Sequence, residues 1–257
     1  MLNSIERRHE ILTQINIHGK VSVEKLTEKF KISAVTIRND LNLLSKKGLL
    51  VRSHGGAVAS NRLTQELSID QKQDENSLIK QAIGRFAATL INPNESIIVD
   101  SGTTTAEIVR HIEDKEGLVI MTNGLNIAYE LAKDRSIEVM MTGGTLRKKS
   151  ASFYGRQAEE SLRSLRFNTL FLGVDGFDIK TGITTYFEPE ASLNRIMCAV
   201  SSQVIAVTDS SKFQKNSVHV VTDISNITHV ITDSGIPDSV ANELEKRDIK
   251  LHIVNVD

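Results

Sequence analysis

Ser33-Ala34-Val35-Thr36-Ile37-Arg38-Asn39-Asp40-Leu41 combines a helix-capping serine, apolar anchors at Ile37 and Leu41, and an outward set of Thr36, Arg38, Asn39 and, one residue beyond, Asn42. A short amphipathic unit, Val23 to Phe30, precedes it, so the pair has the layout of a helix-turn-helix. Working outward, Ile5, Ile11, Leu12 and Ile15 sit at helical spacing and Gly19 ends that helix. Ser22 caps a second helix whose inner face is Val23, Leu26 and Phe30, and Lys31-Ile32 makes a tight turn. Ser33 caps the third, where Ile37, Leu41 and Leu44 face inward until Gly48 stops it. Leu49 to Arg52 then alternates like a strand, and His54-Gly55-Gly56-Ala57 supplies the turn of a hairpin wing. Residues 1–58 are therefore expected to form a winged helix-turn-helix.

In such modules the second helix of the pair enters the major groove. Arg38 has the geometry to bind guanine, and Asn39 or Asn42 adenine. Thr36, Lys46, Lys47 and Arg52 are placed to contact phosphates and set register, and the capping Ser33 completes the DNA-binding set. Asp40 is expected in a local ion pair that positions Arg38, because a carboxylate facing DNA would weaken binding.

Charge supports this division. The chain of 257 residues carries a net charge of -1, and its length fits two domains. Residues 1–62 hold eleven Lys or Arg against five acids, so their net charge is +6, and the remainder is -7. A basic module facing phosphates, joined to a domain with other business, gives such segregation. No apolar run approaches the ~20 residues needed to cross a bilayer, and the N-terminus lacks the apolar core of a signal peptide. The expectation is a cytoplasmic protein with no membrane partner. One cysteine, Cys198, excludes an internal disulfide, and the seven histidines lack ligand spacing. No metal or cofactor is expected.

Ser33-x-x-Thr36-Ile37-Arg38-Asn39-Asp40-Leu41, followed by Lys47-Gly48-x-x-x-Arg52-x-x-Gly55-Gly56-Ala57, resembles the DNA-binding domain of DeoR-type sugar-operon repressors. That resemblance implies operator DNA as partner, and helix-turn-helix dimers on two-fold operators imply a homo-oligomer, a dimer or tetramer.

Residues 59–77 are polar and read as a linker, and 78–257 as the second domain, opening on a helix from Leu78 to Leu90. Strands are expected at Ser96–Val99, Leu118–Met121, Ile137–Met141, Thr169–Leu172, Val204–Val207, His229–Thr232 and Lys250–Val254. Helices are expected at 104–112, 125–133, 155–165, 188–201, 214–221 and 237–247. Apolar strands alternating with helices imply an α/β fold with a mostly parallel sheet covered on both faces. Ligands then bind beyond the carboxyl ends of the strands.

Asp100-Ser101-Gly102-Thr103-Thr104-Thr105 leaves the first of these strands and opens a helix, offering hydroxyls and free N–H groups to an anion. It is neither a Walker A nor a GxGxxG motif. Thr122-Asn123-Gly124, Thr142-Gly143-Gly144, Gly173-Val174-Asp175-Gly176 and Thr208-Asp209-Ser210-Ser211-Lys212 close later strands. Polar ends in succession argue for one shared pocket. Lys212 is the natural second phosphate contact, and Asp100, Asn123, Asp175 and Glu190 are candidates for sugar hydroxyls.

These segments, with Glu190-Ala191 and Arg195, resemble the sensor domain of the same family, whose fold is similar to that of sugar-phosphate isomerases and CoA transferases. The resemblance implies a phosphorylated sugar effector. Ser152-Phe153-Tyr154-Gly155 and Leu193-Asn194-Arg195-x-Met197-Cys198 look most like the N-acetylgalactosamine-type regulators, implying an amino-sugar phosphate. Two alternatives stand beside a repressor. One is an activator; the other is a sugar-phosphate isomerase with a DNA-binding appendage, using Glu190 or Asp100 as base and Lys212 as electrophile.

Overall fold

The computed structural model describes residues 4–18, 20–46, 49–53, 55–59, 66–113, 115–133 and 136–256. It divides the chain into two compact units, Met1–Glu66 and Leu67–Asp257. Gly19, Lys47, Gly48, His54 and residues 60–65 lie outside the described residues.

The first unit runs α1 (Ser4–His18), β1 (Lys20–Ser22), α2 (Val23–Phe30), α3 (Ala34–Lys46), β2 (Leu50–Ser53) and β3 (Gly56–Ala59). Ser22 Oγ accepts the Lys25 N–H and caps α2, while Ser33 Oγ accepts the Thr36 N–H and caps α3. Between them Lys31 takes a left-handed conformation, φ 53°, which makes the tight turn. Ile11 and Ile15 from α1, Leu26 from α2 and Ile37, Leu41 and Leu44 from α3 meet Leu50 and Ala57 in one core. Each such buried aliphatic side chain contributes roughly 2 kcal/mol relative to exposure. β2 and β3 form the wing, and β1 pairs with the inner side of β3. Gly56 is required there, because a Cβ would overlap the Val21 carbonyl oxygen.

Asp40 does form an ion pair, but with different partners from the one expected. Its carboxylate accepts from Arg7 Nε and Arg8 Nε, each at 2.7 Å, and not from Arg38. The reason is its place on α3. Asp40 lies on the face turned towards α1 and is only 2% exposed, whereas Arg38 is exposed. Two arginines of the basic module are thus spent on internal structure.

The second unit runs α4 (Ile69–Asp74), α5 (Ser77–Thr89), β4 (Ser96–Val99), α6 (Thr103–Arg110), β5 (Val119–Thr122), α7 (Leu125–Leu131), β6 (Glu138–Met141), β7 (Thr145–Arg147), β8 (Ser152–Tyr154), α8 (Arg156–Arg163), β9 (Phe167–Gly173), β10 (Gly176–Asp178), β11 (Gly182–Thr185), α9 (Glu188–Ala199), β12 (Ser201–Val207), β13 (His219–Thr222), β14 (His229–Asp233), α10 (Asp238–Lys246) and β15 (Lys250–Val254). Seven strands form one parallel sheet in the order β15-β14-β12-β9-β4-β5-β6. Alternating residues of β4 show why both faces must be covered: Ile97 and Val99 pack with α5, α6 and α7, and Ile98 packs on the side of α8, α9 and α10.

The expected seven strands are those of the sheet, with ends shifted by up to three residues. Two expectations are corrected. Residues 214–221 are not a helix; His219–Thr222 is strand β13, paired antiparallel with β11, since the β-branched Val220 and Val221 fit a pleated surface. The stretch expected as linker contains α4, whose N-terminus is fixed by a capping box between Ser68 and Gln71.

Candidate functional site

On the first unit, α3 presents Arg38, Asn39, Asn42 and Lys46 to solvent. Ser33 and Thr36 are linked to each other at its N-terminus, Oγ to Oγ1 2.9 Å. Arg52 does not stand free. Its Nε donates to Asn42 Oδ1 at 3.0 Å and its Nη1 donates to the Gly56 carbonyl, bracing the wing against α3. Val35, 63% exposed in the first turn of α3, is an apolar surface residue that sequence reasoning passed over. Its one signal was a valine on the polar side of an amphipathic helix. Lys47 lies outside the described residues.

The second unit carries a cavity at the carboxyl ends of β4 and β9, where the strand order reverses. That reversal is the usual crevice of an open α/β sheet. Ser101 leaves β4 with its N–H held by Asn123 Oδ1 at 2.9 Å, and Gly102, φ 152°, starts α6 with no side-chain cap. The first-turn N–H groups of α6, beside Ser101, Thr103 and Thr104, therefore open on the cavity with the positive end of the helix behind them. Lys212 reaches the same cavity from the turn after β12, and among the described residues no ion pair engages it.

The same cavity is lined by carboxyl groups that are all engaged. Asp175 pairs with Lys72 at 2.6 Å and accepts from Thr185 at 2.9 Å. Burial pushes its carboxyl up, yet Lys72, Thr185 and Lys212 together hold it below the ordinary value. Glu190 binds Arg147 at 3.1 Å and Ser150 at 2.5 Å and accepts from Ser152. The Arg147 guanidinium lies 4.3 Å over the Phe187 ring, which fixes that pair. Asp100 is buried, and its pKa is pushed up to about 7, first by desolvation and then by the charge of Glu190. The Ser101 and Gly173 N–H groups only partly offset this.

The structure thus gathers Asp100, Ser101, Gly102, Thr103, Thr104, Asn123, Asp175, Glu190 and Lys212 around one cavity. Four other candidates lie off it. Thr105 is fully buried beneath it, Thr122 Oγ1 accepts the Gly124 N–H in a turn, and Gly143 and Gly144 take positive φ. Gly144 is required by close approach to the Tyr154 backbone. Sequence reasoning missed Lys72 and Lys80, which also line the cavity. Lys80 is 5% exposed and donates to the Lys72 carbonyl. Burial lowers its pKa, against the pull of Asp209. It stands three and seven residues before Ile83 and Ala87 on the apolar stripe of α5, and a lysine in that register is the signal that was available.

Anion donors, paired carboxyls and hydroxyls lining one cavity suit a small polar molecule bearing a phosphate. Among the described residues there is no cluster of His, Cys, Asp or Glu fit to hold a metal ion, and no helix is long and apolar enough to cross a membrane.

Comparison with known proteins agrees with both units. Residues 7–62 match the DeoR-like helix-turn-helix domain, and residues 75–234 match the DeoR C terminal sensor domain. The putative aga operon transcriptional repressor of Escherichia coli O157:H7 is 43% identical over 97% of this chain and 93% of its own length. The transcriptional repressor AccR of Agrobacterium fabrum is 33% identical over 94% of this chain and 95% of its own. Among solved structures, ribose 5-phosphate isomerase from Plasmodium falciparum aligns with 55% of this chain and 54% of its own at TM-score 0.40 and 15% identity. With its helix-turn-helix and its sensor unit both matched in order, the chain belongs to the DeoR family of transcriptional regulators.

Proposed function

We propose that this regulator represses a sugar-catabolism operon and releases its operator when a phosphorylated sugar, of the amino-sugar class, fills the cavity. The observation that carries this is that the open α6 N-terminus and Lys212 line one cavity together with carboxyl groups already paired by their neighbours. The phosphate takes the helix end and Lys212. Asp100, Asn123, Asp175 and Glu190 face the sugar hydroxyls. Release requires the sugar phosphate to bind the DNA-incompetent arrangement more tightly than the competent one. Two copies on a two-fold operator make the functional unit a homodimer or a tetramer.

Lys212→Ala removes a charge-assisted contact of about 1.5–3 kcal/mol. Titration calorimetry with N-acetylgalactosamine 6-phosphate is expected to show binding weakened about tenfold to hundredfold. An unchanged Kd would show that the phosphate sits elsewhere.

At the DNA face, Arg38 and Asn39 read base edges, Lys46, Lys47 and the Ser33–Thr36 pair meet phosphates, and Val35 is placed for a thymine methyl. Asn42 and Arg52 act as a linked pair. Arg38→Ala is expected to weaken operator binding by about 1–3 kcal/mol and to relax preference at one base pair. A salt titration checks this, since loss of a base contact leaves most of the salt slope in place. A uniform loss on all sequences would assign Arg38 to phosphate instead.

Family membership answers the alternative of an isomerase with a DNA-binding appendage: the chain is a regulator, not an enzyme. Reporter expression separates repression from activation, because deletion of a repressor raises basal transcription and deletion of an activator lowers it.

A further inference from the structure

Helix α4 is six residues long and buries none of them. Short helices without an apolar face take their stability from tertiary tethers. Here the tethers run to the cavity wall. Lys72 Nζ meets Asp175 at 2.6 Å, Lys80 Nζ donates to the Lys72 carbonyl, and Asn76 Nδ2 donates to Asp209 at 3.0 Å. The Ile69 N–H donates to the Lys149 carbonyl at 2.8 Å, beside Ser150 of the wall. Leu67, Ile69 and Lys72 themselves line the cavity. α4 is also the first element after Glu66, where the chain passes from the DNA-binding unit to the sensor unit.

We propose that Lys72 is an effector-site residue that couples occupancy of the cavity to the segment joining the two units. This rests on the cavity being a sugar-phosphate site. Lys72 is held by Asp175. A bound phosphate gives Lys72, Lys80 and Lys212 a shared anion, while a sugar hydroxyl joins Thr185 as a donor to the Asp175 carboxylate. α4 then gains contacts that do not depend on its own burial. α4, at the start of the sensor unit, is thereby held against the ligand.

Hydrogen exchange on the full chain tests this, with N-acetylgalactosamine 6-phosphate, galactosamine 6-phosphate and galactose 6-phosphate as probes and the unphosphorylated sugars as controls. With the tightest-binding probe, amides of residues 67–76 are expected to exchange about tenfold more slowly, a typical coupling magnitude. In Lys72→Met, which keeps the aliphatic stem, calorimetry still detects the probe. The protection of 67–76 disappears, and the ratio of operator Kd with and without probe falls to within about twofold of unity. Asp175→Asn loosens the tether from the other side and raises exchange of 67–76 in ligand-free protein, so the test survives a misfolded Lys72 variant. If a sugar phosphate binds but 67–76 exchanges as before, or if Lys72→Met keeps the full operator response, the role of Lys72 is overturned and the cavity reading stands. If none of the sugar phosphates binds, the cavity reading itself fails and takes this inference with it.

Discussion

Asp40→Ala is expected to cost the DNA-binding unit about 3 kcal/mol, the lower end of what removing one partner of a buried ion pair does. The carboxylate holds Arg7 and Arg8, and the Arg7 side chain is 11% exposed, so at least one guanidinium is left in a low-dielectric site without its counter-charge. Arg8 is more exposed and swings to water at smaller cost. A unit of about 60 residues has little stability in reserve. A loss of this size lowers its melting temperature by more than about 10 °C. Scanning calorimetry of the full chain should show an early transition moving down, together with loss of operator binding at 37 °C. Asp40→Asn keeps one acceptor oxygen and should fall between the two. If Asp40→Ala melts with the parent, the α1–α3 clamp is not where this unit draws its stability.

The second large effect lies at Asp100 and depends on pH. Its folded pKa of about 7 stands above the ordinary value of 3.8 because the buried site favours the neutral acid. At pH below 4 both the folded and unfolded chains hold the proton and the site carries no penalty. As pH rises from about 4 to 7 the unfolded chain ionises while the folded one does not, and stability drains away. Above 7 the loss is complete, on the order of 4 kcal/mol for a shift of about three units. Asp100→Asn mimics the protonated acid. Its amide oxygen, in the place of Oδ2, still accepts the Gly173 N–H, and its NH2, in the place of Oδ1, can donate to Ser101 Oγ. The variant should therefore match the parent near pH 4 and exceed it by a few kcal/mol at pH 8, measured by urea unfolding of the sensor unit. A difference that stays flat between pH 5 and 8 would show that Asp100 ionises normally.

Much of this was legible because local pattern and tertiary role coincide. The capping serines at positions 22 and 33 and the apolar spacing of Ile37, Leu41 and Leu44 specify the paired helices before any packing is considered. The same holds for apolar runs that become strands buried on both faces. What was not legible depended on a distant partner. Asp40 announces a carboxylate in a helix but not that Arg7 and Arg8 will hold it. Residues 214–221 read as a helix, because only β11 supplies the ladder that makes His219–Thr222 a strand. Lys72 sat in a polar stretch with no period, and its value comes from Asp175, far along the chain. The glycines after β6 signalled a site but serve the backbone, as Gly144 against Tyr154 shows.

The order of the seven-stranded sheet bears on how the protein is made. β4 is the first of its strands to leave the ribosome, β5 and β6 add successively at one edge, and β9, β12, β14 and β15 add successively at the other. No strand has to wedge between two that are already paired. Each stage of synthesis therefore extends a free edge of an existing sheet, and no earlier pairing must be undone to admit a later one. Domains that grow in step with translation spend less time exposing unpaired edges to neighbouring chains. For a regulator, the sensor can approach its working form as the chain emerges.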